Sequence, residues 1–471
     1  MNTADLTVLS PFIILAATAV VVMLAIAFYR DHKLTVILTL SGLVLSAVSL
    51  SYISCLVPRM VTPLLILDQY ALFYIGLIMA AGFSVAALAY SYLELHVGHK
   101  EEFYLLLIIA TLGCSVLAAA DHFASFFLGI ELLSVSLYAL AAYLRHSDRG
   151  IEAGTKYLIL AAISSAFILF GMALVYAETG SMAFGRNAAF AAGAHGLMFL
   201  AGIVMILVGL GFKLAVVPFH LWTPDVYEGA PAPVTAFIAT ASKGAVFALA
   251  LRNFTLIDIQ AHPPLFAIFT IIAVASMFTG NLLALFQANV KRILAYSSIS
   301  HLGYLLVTML ASGPMAATAA AFYLTAYFIT TLGAFGVVTV LSEQDHDADR
   351  TDDYQGLAWR RPWLAGVFTI MLFSLAGIPL TAGFVGKFYI VAAGVGSALW
   401  MVIIIMTINS VIGLFYYLRI IVMMFSASEK EGPPARRSRS SGAVLTALAI
   451  LLIWLGVYPG PVIDIIRDAM H

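Results

Sequence analysis

Long apolar runs limit what this chain can become more than any other feature of it. Within hydrocarbon the backbone must satisfy its own polar groups, so a spanning segment is a helix or part of a closed barrel. A hydrocarbon core of about 30 Å takes about 20 apolar residues per helix. Runs of that length occur at approximately 8–29, 34–56, 69–92, 103–120, 123–143, 153–177, 196–217, 234–254, 265–287, 292–311, 316–342, 362–391, 397–425 and 441–459. Only 10% of the 471 residues are charged, against about 25% in soluble domains. The expected fold is an all-α polytopic membrane protein with about 14 transmembrane helices, and not a soluble enzyme.

The basic residues support that count. Loops on one side hold sixteen of the 23 lysines and arginines, among them Arg30, Lys100, Arg145, Arg149, Lys291, Arg292, Arg350, Arg436 and Arg437, and the other side holds Arg59, Arg186, Arg252 and Arg467. An excess of this kind marks the cytoplasmic side, so both termini are expected on the opposite, periplasmic face. The N-terminal MNTADLTVLS has no positive leader region, and the first run is expected to remain as a span. Two polar stretches, 342–361 and 426–442, fall on the basic side. Neither is long enough for a domain, and the second reads as a flexible linker.

Several function classes drop out. No GxGxxG fingerprint, P-loop or HExxH is present, so nucleotide binding by those routes is excluded. The net charge of −1 and the lack of a large basic patch exclude a nucleic-acid partner. Cys55 and Cys114 form no CxxC, which removes structural zinc and iron–sulfur clusters. Both are read as buried small hydrophobes.

The chemistry lies in the few ionisable residues within the runs: Glu131, Lys213, His220, Lys243, His301 and Lys387. A lysine at the centre of a spanning helix costs about 2.5–3.5 kcal/mol on insertion scales, and intramembrane charges are usually functional. Lys213 lies near the end of its run, where snorkelling is the competing account. Lys243 has about ten residues of its span on either side, too far to snorkel. His301 alone would be a satisfied core histidine, but Ser297, Ser298 and Tyr304 share its helix face. Glu131 has Ser134 and Tyr138 at helical spacing. Glu152 and Lys156, four residues apart, read first as a surface ion pair and second as a support for proton uptake.

Proline and glycine stand beside two of the lysines. Pro218 follows Lys213, and Gly377, Pro379, Gly383 and Gly386 precede Lys387. Proline removes an amide donor and clashes with the preceding turn, so two broken helices are expected. Paired broken spans point to inverted repeats around an ion site at mid-membrane. Lys213 and Lys387 differ by 174 positions, and Glu131 and His301 by 170. The chain therefore divides into N-terminal helices (1–102), a five-helix repeat (103–254), a second, inverted repeat (265–425), and a linker with a last helix (426–471). Carboxylate, amine and imidazole each gain and lose protons, and removal from water disfavours their charged forms. A row of them across a membrane is a proton relay.

The stretches GFKLAVVPFHLWTPDVYEGAPAPVTAFIATASK (211–243), KRILAYSSISHLGYLLV (291–307) and SLAGIPLTAGFVGKFY (374–389) closely resemble the antiporter-like subunits of respiratory complex I, over nearly the whole chain. The resemblance implies fourteen helices in two inverted five-helix repeats, and proton pumping coupled to electron transfer from NADH to quinone elsewhere in the complex. By motif, Glu131 and Lys213 match that family's charge pair, Lys243 its bridging lysine, His301 its central-axis position and Lys387 its terminal exchange residue. His220 is a further candidate. With no cysteine cluster and no nucleotide motif, the chain is expected to carry no cofactor, with flavin and iron–sulfur clusters in partner subunits and quinone in the complex. The resemblance also implies other antiporter-like membrane subunits as neighbours, in the bacterial inner membrane.

Two other readings stand beside this one. A subunit of an Mrp-type cation/proton antiporter would share the fold, and sodium-dependent transport would mark it. A membrane electron carrier would use His220 and His301 as haem ligands, and a haem absorbance band would mark that.

Overall fold

The computed structural model describes residues 3–96, 98–145, 147–191, 196–257, 259–344, 346–427 and 439–470. Among these, twelve helices are long and apolar enough to cross a membrane, and three shorter apolar helices accompany them. The only paired strands described, Arg59–Val61 and Leu65–Leu67, form one small hairpin. The chain is an all-α polytopic membrane protein.

Burial separates an axis from a periphery. The apolar stretches of Ala232–Ile257 and Val290–Leu310 are wholly buried, whereas that of Ser10–Phe28 is 28% buried. Trp400–Phe425 turns Ile404, Ile408, Val411 and Phe415 outward, a stripe at helical spacing suited to lipid or a neighbouring subunit. Lys243 and His301 belong to the enclosed helices.

Glycine sets two of the closest crossings. Glu102–Ala118 packs on Phe123–Ala141, and Pro263–Leu285 packs on Val290–Leu310. A Cβ on Gly113 would lie 2.7 Å from the Leu133 nitrogen, and one on Gly280 2.7 Å from the Ser300 nitrogen. Small residues of this kind let membrane helices meet at the backbone.

Both expected breaks are present. Leu197–Leu214 stops at Ala215, whose φ is +59°, and helix resumes at Trp222. Pro218 lies in the gap. The freed groups find partners: the Trp222 indole donates to the Phe212 carbonyl at 3.0 Å, and the Val217 amide to Ser276 Oγ at 3.0 Å. Pro362–Ala376 stops at Gly377, φ +86°, and helix resumes at Ala382, with Pro379 between. A third irregularity had no signal in the sequence. Ile238–Ser242 is a π-helical turn that ends where Lys243 begins, and such bulges recur at functional positions.

The loops collect on two faces. On one, Asn289 bridges Arg350, and Arg149 reaches Asp349. On the other, Leu65 bridges Ala120, His122 bridges Ala183, and Arg252 pairs with Asp68.

Four sequence readings are corrected or bounded. Cys55 is exposed and only Cys114 is buried, because Cys55 falls in the turn after His32–Ile53 and packs under nothing. Lys291, read as a loop residue, stands in Val290–Leu310 with its side chain 1% exposed. Most of the 426–442 linker, residues 428–438, lies outside the described residues. A helix that was not expected, Gly460–Met470, follows the last span and buries Ile463 and Ile466.

Candidate functional site

The three intramembrane lysines share one mode of binding. Lys213 Nζ donates to Ser134 Oγ at 2.5 Å, Lys243 Nζ to Ser298 Oγ at 2.8 Å, and Lys387 Nζ to Ser410 Oγ at 2.8 Å. Each ammonium also lies over a tyrosine ring: Tyr157 at 5.9 Å, Tyr227 at 5.2 Å and Tyr304 at 5.4 Å. The serine protons are spent on backbone carbonyls, of Ile130, Ala295 and Ala376, so each hydroxyl offers its lone pair to the lysine. All three lysines are buried. Among the described residues none is in a salt bridge with a carboxylate.

That arrangement has a chemical meaning. A buried ammonium normally takes a carboxylate, which holds its charge in place. Serine oxygen and the face of a ring stabilise the cation more weakly. A lysine held this way can lose its proton without leaving a bare buried anion behind.

The helix breaks position two of the three. Lys213 occupies the last turn of Leu197–Leu214. Lys387 stands in the helix after the second break and reaches back to the Leu375 and Ala376 carbonyls, both at 2.9 Å. Those are acceptors left open where Pro362–Ala376 ends.

Glu131 is half-buried, and its Oε1 accepts from Ser165 Oγ at 2.7 Å. Lys213 binds Ser134, one turn along the Glu131 helix, so the two helices face each other, and among the described residues Glu131 is in no salt bridge with Lys213.

His301 lies at the centre of a tyrosine cluster. Its Nδ1 contacts the Tyr323 hydroxyl at 2.5 Å and its Nε2 the Tyr417 hydroxyl at 3.1 Å. Tyr417 also bonds Ser297, the neighbour of the serine that holds Lys243. Both ring nitrogens of His301 are thus engaged by tyrosine hydroxyls. His220 lies in the first break, buried, and its Nδ1 has no hydrogen-bond partner among the described residues. His99, Glu101 and Glu102 bring ligand atoms within 4.8 Å of one another. However, the Arg30 guanidinium contacts His99 and Glu102 and already sets a positive charge against them.

Sequence reasoning found the titratable groups and missed most of their partners. Ser134, Ser297, Ser298 and Tyr304 were visible at helical spacing. Ser165, Ser410, Tyr157, Tyr227, Tyr323 and Tyr417 come from other helices and carry no local signal. The Glu152–Lys156 pair is formed at 2.7 Å, and Lys156 also binds Asp225 at 2.7 Å. Arg292 joins Asp225 and Glu228 at 2.9 and 2.8 Å, so a charged network ties three helices on that face.

The family described as NADH:quinone oxidoreductase/Mrp antiporter, TM, matches residues 120–413. NADH-quinone oxidoreductase subunit N of Nitrosospira multiformis is 56% identical, covering 99% of this chain and 96% of its own length. Subunit N of Ectopseudomonas mendocina is 48% identical, covering 98% and 96%. Among solved structures, a chain of respiratory complex I from Thermus thermophilus is 33% identical at a TM-score of 0.84, covering 96% of this chain and 98% of that one. A chain of the Mrp complex from Dietzia has a TM-score of 0.88 at 20% identity, covering 100% and 97%, a likeness of fold alone. Full-length identity to subunit N, a family match across most of the chain and the shared fold agree: the chain belongs to the antiporter-like membrane subunits of NADH–quinone oxidoreductase, in the subunit N line.

Proposed function

We propose that this chain translocates protons as a membrane subunit of NADH–quinone oxidoreductase, through Glu131, Lys213, Lys243, His301 and Lys387. The observation that carries the relay is the repeated lysine–serine–tyrosine unit, which stabilises a proton at three points without a carboxylate to trap it. His301 and its tyrosines connect the second unit to the third. His220, in the first break, is an accessory candidate. Electron transfer belongs to other subunits, and this chain carries no flavin, haem, iron–sulfur cluster or metal of its own. Its neighbours are the other membrane subunits of the complex, including its antiporter-like relatives.

The spans number fourteen when Glu102–Ala118 and the broken helix 362–396 are added to the twelve. The matching crossings at Gly113 and Gly280 support two repeats, 103–254 and 265–425, with 1–102 and 426–471 as flanking segments. The basic face carrying 342–361 is cytoplasmic, and both termini are periplasmic in the bacterial inner membrane. The Mrp-type alternative has the fold in its favour, but the identity of 48–56% to subunit N favours the redox-coupled reading.

Movement of Glu131 towards and away from Lys213 is the switch in this scheme. Glu131→Gln and Lys213→Ala should each lower NADH-driven proton uptake by assembled complex in vesicles, by about tenfold or more, as loss of a positioned proton carrier does. Full uptake in either variant, or its recovery when both residues are neutral, would sink the relay role of this pair.

A further inference from the structure

The relay proposed above lies in a buried interior, and a cavity opens on the face bearing 342–361. It measures about 1370 Å³, with His99, Arg149, His346, Asp347 and Asp349 among its lining residues. His99, Arg149 and His346 are exposed at its mouth. Asp347 lies deeper, its side chain 12% exposed, and its partner Lys291 is sealed at 1%. Asp347 Oδ2 accepts from Lys291 Nζ at 2.6 Å, and its Oδ1 accepts from the Tyr92 hydroxyl at 2.8 Å. Behind the pair lies protein, not solvent.

Two segments run inward from this pair to Lys243. The first is the helix Val290–Leu310, on which Ser298 stands seven residues after Lys291, about 10 Å along the same face. Ser298 is the serine that holds Lys243. The second is the stretch 227–230. Its Ala230 carbonyl accepts from Lys291 Nζ at 2.7 Å, and its Tyr227 ring lies under Lys243 Nζ. Among the described residues the buried Tyr227 hydroxyl makes no well-formed hydrogen bond, and Ser298 is the polar side chain beside it. The neighbouring Arg292 already ties this helix end to Asp225 and Glu228, so anchoring does not require a second, sealed pair.

Resting on the relay reading, we propose that Asp347 and Lys291 form its proton intake, passing protons from the cavity to Lys243. A proton from cavity water binds the Asp347 carboxylate. The Lys291 ammonium releases one proton inward, and water entering along the Ser298 face carries it to the Lys243 amine. Asp347 then gives its proton to the Lys291 amine, and the carboxylate–ammonium pair is restored. One proton leaves the cavity, one arrives at Lys243, and the pair ends as it began.

The test uses the whole purified complex, measuring NADH:quinone turnover and, in proteoliposomes, proton uptake. Asp347→Asn and Lys291→Gln should each lower both by at least about fivefold, and the double variant should stay low. Formate, a small acid that the cavity admits, should restore turnover in Asp347→Asn but not in Lys291→Gln. Asp347→Glu, which keeps an acid at the site, should retain activity and serves if the asparagine variant fails to assemble. A purely structural pair predicts recovery in the double variant and no response to formate; either result overturns the intake, as does full uptake in an assembled single variant. Lys243→Ala separates the two levels. If it pumps fully the relay reading falls, and if it fails while Asp347→Asn pumps fully only the intake falls.

Discussion

Arginines at the loop faces and lysines at mid-membrane are both partly or wholly buried cations, yet they are held in opposite ways. Arg252 makes two hydrogen bonds of 2.8 Å to Asp68 and lies 4.5 Å from the centre of the Tyr70 ring. Arg292 is shared by Asp225 and Glu228. Both are guanidinium groups, which stay protonated; Arg252 grips Asp68 in fork geometry, and Arg292 holds its two carboxylates through one nitrogen, Nη1. Lys213, Lys243 and Lys387 have serines and ring faces instead. On the proposed relay, the contrast separates charge used as a fastener from charge used as cargo. Lys291 is a lysine facing a carboxylate, and the proposed intake would use both features.

Placing a carboxylate among the mid-membrane partners breaks the contrast most sharply. Ser298→Asp should turn Lys243 into a fastened ion pair and lower proton uptake by about tenfold or more while the complex still assembles, since a buried charge pair resists deprotonation. Ser298→Ala should cost much less. Uptake that survives the aspartate would remove the distinction.

At the faces the expected effect is on stability. Asp68→Asn leaves Arg252 without its anion, and breaking such a pair costs about 2–4 kcal/mol, allowing for the 25% exposure of Asp68. A lower thermal midpoint of the complex, with unchanged proton uptake per assembled complex, is the anticipated pattern. An equal loss of pumping would show that face charges are cargo too.

The smallest effect concerns pH. Burial alone would raise the Asp347 carboxyl, but the Lys291 ammonium and its hydrogen bond outweigh that and hold it below the usual carboxylate range. A carboxyl lowered by folding adds stability above its unfolded value of about 4 and loses it as pH falls through the folded value. Amide exchange around 346–354 should therefore stay slow from pH 7 to 5 and quicken only in more acid solution. Loosening near pH 6 would contradict the resting ion pair.

The fold was legible because lipid imposes one rule on every span, and apolar length reports it directly. Both helix breaks were legible for a similar reason, since Pro218 and Pro379 act locally. The site was legible only where chemistry lies within one helix, as with Ser298 and Tyr304 around His301. Tyr323 and Tyr417 reach the same histidine from helices that only tertiary packing brings near. The π-turn before Lys243 had no local cause in its sequence, IATAS. Asp347 lay in a polar loop, where nothing distinguishes a buried acid from the solvated ones beside it.

Lys243→Arg tests the central claim most directly. Arginine keeps the positive charge and much of the reach, and it cannot give up its proton. NADH-driven proton uptake by the assembled complex should fall by at least about tenfold, close to the level of Lys243→Ala. Uptake near that of the unmodified complex would mean that the charge at this position, and not its proton, is what the protein uses.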